Sequence, residues 1–597
     1  MKFSTIFVLF LFAAVSANAV EKQVTSPDGL LVVTVSVDNG IPAYSITLNG
    51  KQFLNHSPLG LKTNIGDFTR ELSLKDTTAV RKIDESYELP NIKQSKVRYV
   101  ANEAVFSLVK DNRPAFDVIF RVSNNDVAFK YKVYPRRASF SCVVDQEATG
   151  FVFPEGTTTF LTAQSKAMVG FARTMPSYEI PYKADAPMGE NGQGNGYTFP
   201  CLFKVKGNGW ALLSETGVDS RYCGSRLIGH AEGLYTIGFP MEEENNGNGT
   251  PAPGITTPGE TPWRTITLGE TLAPVVETTI PFSVVEPRYE ASQKFQYGKG
   301  SWSWIMKMDG ATVYDVQKEY IDFSAAMGYQ TILVDALWDT QIGHEKIEEL
   351  ASYGKSKNVA LFLWYNSNGY WNDAPQGPRG IMDSPITRRK EMAWMKSIGV
   401  RGIKVDFFGG DKQVTMKLYE DILYDANDFG LLVIFHGCTI PRGWERMYPN
   451  YAANTPNRGS KRLTSDVFAL ATAVMFQSAV QHFALAPNNL TDAPEWAISF
   501  MKEVPTTWDE VRFIDGYPGK YVVIARRHGD SWYVAGVNAQ KETVKIKVSL
   551  PMFQGVKEVR LYSDDEQLNG KISSVKVGKK QEIELSIPQN GGVVIVN

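Results

Sequence analysis

The chain has 597 residues, 43% of them hydrophobic and 21% charged, which excludes a wholly disordered or fibrous protein and implies two to four domains. With 62 Lys+Arg against 64 Asp+Glu, a net charge of −2, it lacks the basic field of a nucleic-acid binder. Four cysteines are too few for a disulfide framework in a chain this long. Aromatic residues make up 12%, with 12 Trp and 26 Tyr, a share that suits stacking on sugar rings.

Residues 1–19, MKFSTIFVLFLFAAVSANA, combine Lys2, an apolar run from Ile6 to Val15 and the small-x-small ending Ala17-Asn18-Ala19. That is the layout of a secretory signal peptide, and the run is shorter than the ~20 apolar residues of a membrane span. No cysteine follows to carry a lipid, and no later stretch is long enough to cross a bilayer. The expected mature chain is exported, in the periplasm, where oxidising conditions make Cys201 and Cys223 a candidate pair.

Residues 20–290 read as strands. LLVVTVSV (30–37), AYSITLN (43–49), VRYVANEAVFSLV (97–109) and DVAFKYKVYP (126–135) alternate or run apolar between Gly, Asn, Asp and Pro, as a large β-sandwich requires. Over 291–510 the pattern changes. Short apolar strands such as SWSWIM (301–306), TILVDALW (331–338), VALFLWYN (359–366), GIKVDFF (402–408) and LLVIFHG (431–437) now alternate with helical stretches. The helices are expected at Val313–Met327, His344–Lys357, Thr387–Ile398 and Gln413–Phe429. This recurring βα unit predicts a (β/α)8-type barrel. Residues 511–597 return to strands, as in YVVIARR (521–527), SWYVAGVN (531–538) and VKIKVSL (544–550), and predict a C-terminal β-sandwich domain.

Barrels carry their chemistry at the C-terminal ends of the strands. Strand two ends in Asp335, Trp338 and Asp339, strand three in Trp364, Asn366 and Asn368, strand four in Lys404 and Asp406, and strand five in His436. Carboxylates beside Trp, Asn, Lys and His, with no phosphate-cradling glycine loop, suit a sugar. Glycosidases work with two carboxyl groups. A cation such as Lys404 would keep Asp406 ionised, as a nucleophile must be, unless Lys404 only ties the barrel interior together.

The stretches SWSWIM, ILVDALWD, GIKVDFFGGDKQ, FHGCTIPRGWERMYPN, LATAVMFQSAVQHFAL and FMKEVPTTWDE, in this order, resemble glycoside hydrolase family 97. The resemblance implies an N-terminal β-supersandwich, a (β/α)8 barrel, a C-terminal β-domain and a calcium ion. It also implies cleavage of α-glucosides with inversion or of α-galactosides with retention. The inverting branch resembles a pattern with Glu directly after the strand-five His, and here that position is Gly437. The retaining branch has an Asp ending strand four, and Asp406 fills it as nucleophile. The strand-end residues Asp335, Trp338, Trp364 and Lys404 are expected to line the site of a terminal α-galactosyl (or α-glucosyl) residue of an oligosaccharide; by the same resemblance His436 and Arg442 face that sugar, and Glu179 and Glu503 are calcium ligands.

One departure stands out. Tyr448-Pro449-Asn450 runs into YAANTPNRGSKRLTSD with no Asp or Glu from Tyr451 to Ser465, and Lys461 stands where the family's acid/base Glu would fall. RGSKRLTSD resembles text the family has much later, so an internal piece is missing. Spacing agrees: about 70 residues separate Phe435 from Val504, where three further βα units need about 90. The barrel is therefore expected to be shortened. Glu445, Glu495 and Glu503 are the carboxylates that could stand in as acid, and a catalytically inactive sugar binder or an α-glucosidase are the rival expectations.

Overall fold

The computed structural model describes residues 20–136, 138–438, 442–454 and 462–597. The apolar leader, Lys461 and the start of the shortened segment lie outside the described residues. In the N-terminal domain a four-stranded antiparallel sheet (Val20–Thr25, Leu31–Asp38, Ile41–Leu48, Lys51–Pro58) faces a larger sheet centred on Lys96–Lys110, Arg113–Val122, Asp126–Val133 and Trp263–Gly269. Successive side chains of a strand point to opposite faces, so Leu31, Val33 and Val35 all turn inward. They meet Phe106, Phe116, Phe120 and Phe129 of the larger sheet in one core.

The central domain is a parallel sheet of seven strands: β1 (Gly298–Trp302), β2 (Thr331–Val334), β3 (Ala360–Asn366), β4 (Gly402–Asp406), β5 (Leu432–Phe435), β6 (Tyr451–Asn454) and β7 (Val480–Phe483). Their spatial order is β6-β5-β4-β3-β2-β1-β7. The four helices expected from the sequence are α1 (Tyr314–Met327), α2 (His344–Ser356), α3 (Pro385–Ile398) and α4 (Gln413–Asp428). A short α5 (Trp444–Met447) joins β5 to β6. Alternation again sorts the side chains. Ile332, Val334, Leu363, Ile403, Val405, Val433 and Phe435 face the helices, while Trp302, Leu333, Phe362, Leu432 and Ile434 fill the interior.

The barrel has seven strands rather than eight among the described residues, in line with the shortfall in spacing. Among the described residues β6 pairs only with β5 and β7 only with β1. Cα atoms of the two end strands approach within 8 Å without sharing a ladder. The helix before β7, α6 (Asp466–Met475), is capped by Ser465, whose hydroxyl accepts from Phe468 N at 2.9 Å. With α7 (Glu495–Glu503) it buries Val467, Leu470, Val474, Phe500 and Met501 against Ala535, Tyr562 and Val594 of the C-terminal domain. That domain has a six-stranded antiparallel sheet and a two-stranded one (Val544–Ser549, Glu582–Ile587) over a common core. Cys201 and Cys223 are both buried free thiols, so the candidate disulfide is not formed. No helix among the described residues is long and apolar enough to cross a membrane.

The sandwich is tied to the barrel by a buried ionic chain. Arg264, fully buried, donates to Glu147 at 2.9 and 2.6 Å and also to Glu215. Glu215 in turn pairs with Arg442 from the β5 loop, and Arg442 donates to Asp411 in the β4 loop at 2.9 Å. Removing one partner of a buried pair strands the others without solvent. Arg264→Ala should therefore lower unfolding free energy by about 3–5 kcal/mol, read from urea denaturation, and a loss under about 1 kcal/mol would show that the chain is not needed for stability.

Candidate active site

The interior register that fills the barrel also builds the site. On β4 the inward positions are Gly402, Lys404 and Asp406, opposite Phe362, Trp364 and Asn366 on β3 in register. Inward residues at the ends of β1, β2 and β5 add Trp302, Asp335 and His436. All lie at the C-terminal rim, and Asp406, Lys404, Asp335 and Trp364 are each under 5% exposed.

Asp406 is held by several donors. Its Oδ2 accepts from the indole N–H of Trp364 at 3.1 Å and lies 2.8 Å from His436 Nδ1 and 3.9 Å from Lys404 Nζ. Its Oδ1 accepts from the backbone N–H of Phe407 at 2.7 Å. Burial alone would raise this carboxyl, but the imidazole of His436, the Lys404 cation and the Trp364 N–H outweigh it and bring the pKa down to about 2. Asp406 is thus a carboxylate at any physiological pH. Burial pushes His436 down, yet Asp406 and Glu179 raise it to about 9, so the ring is an imidazolium at neutral pH.

Lys404 and Asp335 form the second layer. Lys404 Nζ donates to Asp335 Oδ2 at 3.0 Å and sits 4.5 Å from the centroid of the Trp302 ring. The Trp302 N–H donates to the same oxygen at 2.8 Å, and the backbone N–H of Ala336 donates to Asp335 Oδ1 at 2.9 Å. Three strand ends turn through left-handed backbone: Leu337 (φ 69°), Phe407 (φ 62°) and Gly437 (φ 55°). For a bulky residue such as Phe407 this costs of order 1–3 kcal/mol, strain of the kind concentrated at functional sites. It aims the Phe407 N–H at its own neighbour's carboxylate.

The N-terminal domain contributes as well. Glu179, from the loop before Lys183–Pro187, places Oε1 2.8 Å from His436 Nε2. Farther back, Glu244 accepts from the backbone N–H of Asp411 at 2.7 Å and pairs with Arg226. A Cβ on Gly410 would come 2.1 Å from Glu244 Oε2, so glycine is required where the β4 loop docks on the sandwich.

Three expected site residues belong elsewhere. Trp338 is fully buried outside the barrel, because the left-handed turn at Leu337 swings it among Tyr365, His344 and Trp394, with its N–H on Trp364 O at 2.9 Å. Arg442 is drawn into the ionic chain by Glu215 and Asp411. Glu503 pairs with Arg560 at 3.2 Å on the C-terminal domain. Its helix reaches Lys299 at the start of β1, through Lys299 Nζ to Lys502 O, so it lies at the opposite end of the barrel from Glu179. Conversely, Trp302 and Phe407 belong to the site although neither stood out; the W-x-W text at a strand end was the available signal for Trp302.

The described residues do not bring the two expected calcium ligands together. Such an ion takes six to eight oxygen ligands, yet Glu179 is engaged by His436, Glu503 is remote, and no group of three or more His, Cys, Asp or Glu among the described residues could hold a metal. The substitute acids fare no better. Glu495 is exposed at the start of α7, and Glu445 is buried in α5, whose Trp444 packs on Phe435 and Tyr451 of the barrel's outer layer.

Comparison with known proteins agrees with this architecture. Residues 24–287 match the model described as Glycosyl-hydrolase 97 N-terminal, 295–455 Glycoside hydrolase 97, and 507–596 Glycosyl-hydrolase 97 C-terminal, oligomerisation. A solved structure titled as that of a beta-arabinopyranosidase is 52% identical, covering 96% of this chain and 100% of its own, with a TM-score of 0.94. The "Retaining alpha-galactosidase" of Bacteroides thetaiotaomicron is 24% identical over 90% of each chain. A Streptomyces bingchenggensis protein named as a retaining alpha-galactosidase of the same kind is 28% identical over 84% of this chain and 80% of its own.

Burial raises the carboxyl of Glu445 from 4.5 to about 7, and one of its oxygens has no hydrogen-bond partner. Between those pH values the folded protein keeps a proton that the unfolded chain has released, so stability falls as pH rises through the window. Glu445→Gln removes the titration. The stability difference between variant and parent should move about 3 kcal/mol in the variant's favour from pH 4 to pH 8, measured by denaturation at both pH values. A constant difference would mean that Glu445 titrates normally.

Proposed function

The chain belongs to glycoside hydrolase family 97, and on that premise we propose that it is an exported retaining glycosidase with Asp406 as nucleophile. Its glycone is a terminal sugar of the galacto ring configuration, β-L-arabinopyranosyl first and α-D-galactosyl second. The two share their ring stereochemistry: β-L-arabinopyranose is α-D-galactopyranose without the hydroxymethyl group on C5. The order follows the 52% identity to the beta-arabinopyranosidase against 28% and 24% to the two proteins named as alpha-galactosidases. Export rests on the apolar leader of residues 1–19.

One observation carries the retaining reading. A Cβ at position 437 would come 3.1 Å from Asp406 Oδ1 and 3.3 Å from Phe407 N, and Gly437 has φ 55°. A side chain after His436, where an inverting base would stand, therefore competes for the space that Asp406 occupies. This also argues against the α-glucosidase alternative. In the reaction a carboxylate oxygen of Asp406 bonds to C1 as the C1–O bond to the leaving group breaks with its electron pair. Water then displaces Asp406 at C1, and two inversions give retention. His436, Lys404 and the Trp364 N–H keep the carboxylate ionised and oriented. The sequence has no Asp or Glu from Tyr451 to Ser465, where the family's acid/base Glu would fall, so in this reading the departing oxygen draws its proton from water, forgoing the about 10²–10⁴-fold that general acid catalysis contributes.

Wild-type protein should hydrolyse p-nitrophenyl β-L-arabinopyranoside and α-D-galactopyranoside, and proton NMR should show the first product with the substrate's anomeric configuration. Asp406→Ala should abolish turnover, and azide should restore it as the inverted glycosyl azide. An inverted first product from the wild type would overturn the mechanism, and sugar binding without turnover would leave a carbohydrate-binding homologue. Gly437→Ala should lower kcat about 10²-fold by displacing Asp406, with near-wild-type kcat showing that the crowding is relieved elsewhere.

A further inference from the structure

Two aromatic rows lead outward from the carboxylates. Trp364, which donates to Asp406, has its ring 5.6 Å from Phe407, and Phe407 lies 6.5 Å from Phe171. Phe171 belongs to the N-terminal domain and is 60% exposed. The backbone N–H of Asp373 in the β3 loop donates to Ala172 O at 2.9 Å, and the Arg173 guanidinium pairs with the Asp373 carboxylate, so its segment is pinned to the barrel rim. The second row starts from Lys404. Trp302 under its ammonium stacks on Trp304 at 5.6 Å and 13°, and beyond Trp304 the β1 loop exposes Met306 and Met308 by 52% and 50%.

We infer that these rows form an aglycone subsite for a planar aryl group, with Phe171 as its specificity-determining residue, so that the natural substrates are glycosides of phenols. This rests on the glycone and nucleophile reading above and extends it to the leaving group. Exposed Phe and Met side chains offer faces and polarisable sulfur, and the Arg173 and Asp373 side chains beside Phe171 are already paired with each other, so the position suits an apolar ring better than a ring whose hydroxyls need polar partners. The state of the site points the same way. Of the carboxyl groups around Asp406, Asp335 is bound by Lys404 and Glu179 lies on His436. A leaving group that must depart without a dedicated acid needs to be a stabilised anion, and a phenolate is one where a sugar alkoxide is not.

The test is a binding panel on the inactive Asp406→Ala protein. Phenyl and methyl forms of β-L-arabinopyranoside, α-D-galactopyranoside and α-D-glucopyranoside are titrated by calorimetry, alone and with Phe171→Ala or Phe171→Tyr added. For whichever glycone binds, the phenyl form should bind at least 10-fold more tightly than the methyl form. Phe171→Ala should erase most of that difference without weakening the methyl glycoside, and Phe171→Tyr should keep it. Because Phe171 is mostly exposed, its truncation leaves the fold intact, and an unchanged methyl affinity verifies that. Equal affinities for phenyl and methyl forms, or a phenyl advantage that survives Phe171→Ala, would overturn the inference. A phenyl advantage on the glucoside alone would sustain the aryl subsite while refuting the proposed glycone, and binding of none of the six would refute both.

Discussion

Glu215 is shared by two arginines from different domains, and much of the molecule is arranged around that fact. Arg264 approaches it from within the sandwich and Arg442 from the β5 loop of the barrel. Charges this deeply buried are tolerated only when each is paired. The chain Glu147–Arg264–Glu215–Arg442–Asp411 therefore fixes the loops after β4 and β5 against the N-terminal domain. Those loops follow directly on Asp406 and His436. The sandwich is thus part of the active-site wall, and it supplies Glu179 and Phe171 to the same rim.

Within the rim the electrostatic problem is to keep one buried carboxylate ionised. Burial alone would protonate Asp406, and His436, Lys404 and the Trp364 N–H reverse this. Lys404 is shared with Asp335, so the two carboxylates are not left as a repelling pair. Space is the second constraint: a Cβ at 437 would come 3.1 Å from Asp406 Oδ1, so a side chain after His436 crowds a carboxylate at the end of β4.

The shortened barrel shows how much loss the architecture absorbs. Among the described residues β6 and β7 end the sheet, and α6 and α7 bury their apolar faces on the C-terminal domain. The strands that carry the site, β1 to β5, keep their ladder and their register. What the shortened segment lacks is a carboxylate: there is no Asp or Glu from Tyr451 to Ser465.

The domain classes and the strands that bear the site were legible in the residues alone, because period two and the βα repeat are local properties of the text. So were the strand-end positions of Asp406, Lys404, Asp335 and Trp364, and the shortfall of one unit in the barrel, since residue counts bound how many strands can fit. Which strand-end residues face inward, and what they touch, came from the packing of distant segments. Trp338 and Trp364 look alike in sequence, yet one left-handed residue, Leu337, turns Trp338 outward. Arg442 reads as a sugar ligand until its partner Glu215, 227 positions earlier in the chain, is brought to it. Glu503 reads as a metal ligand until its helix is placed at the far end of the barrel. Such outcomes depend on contacts between distant segments, and no local pattern encodes them.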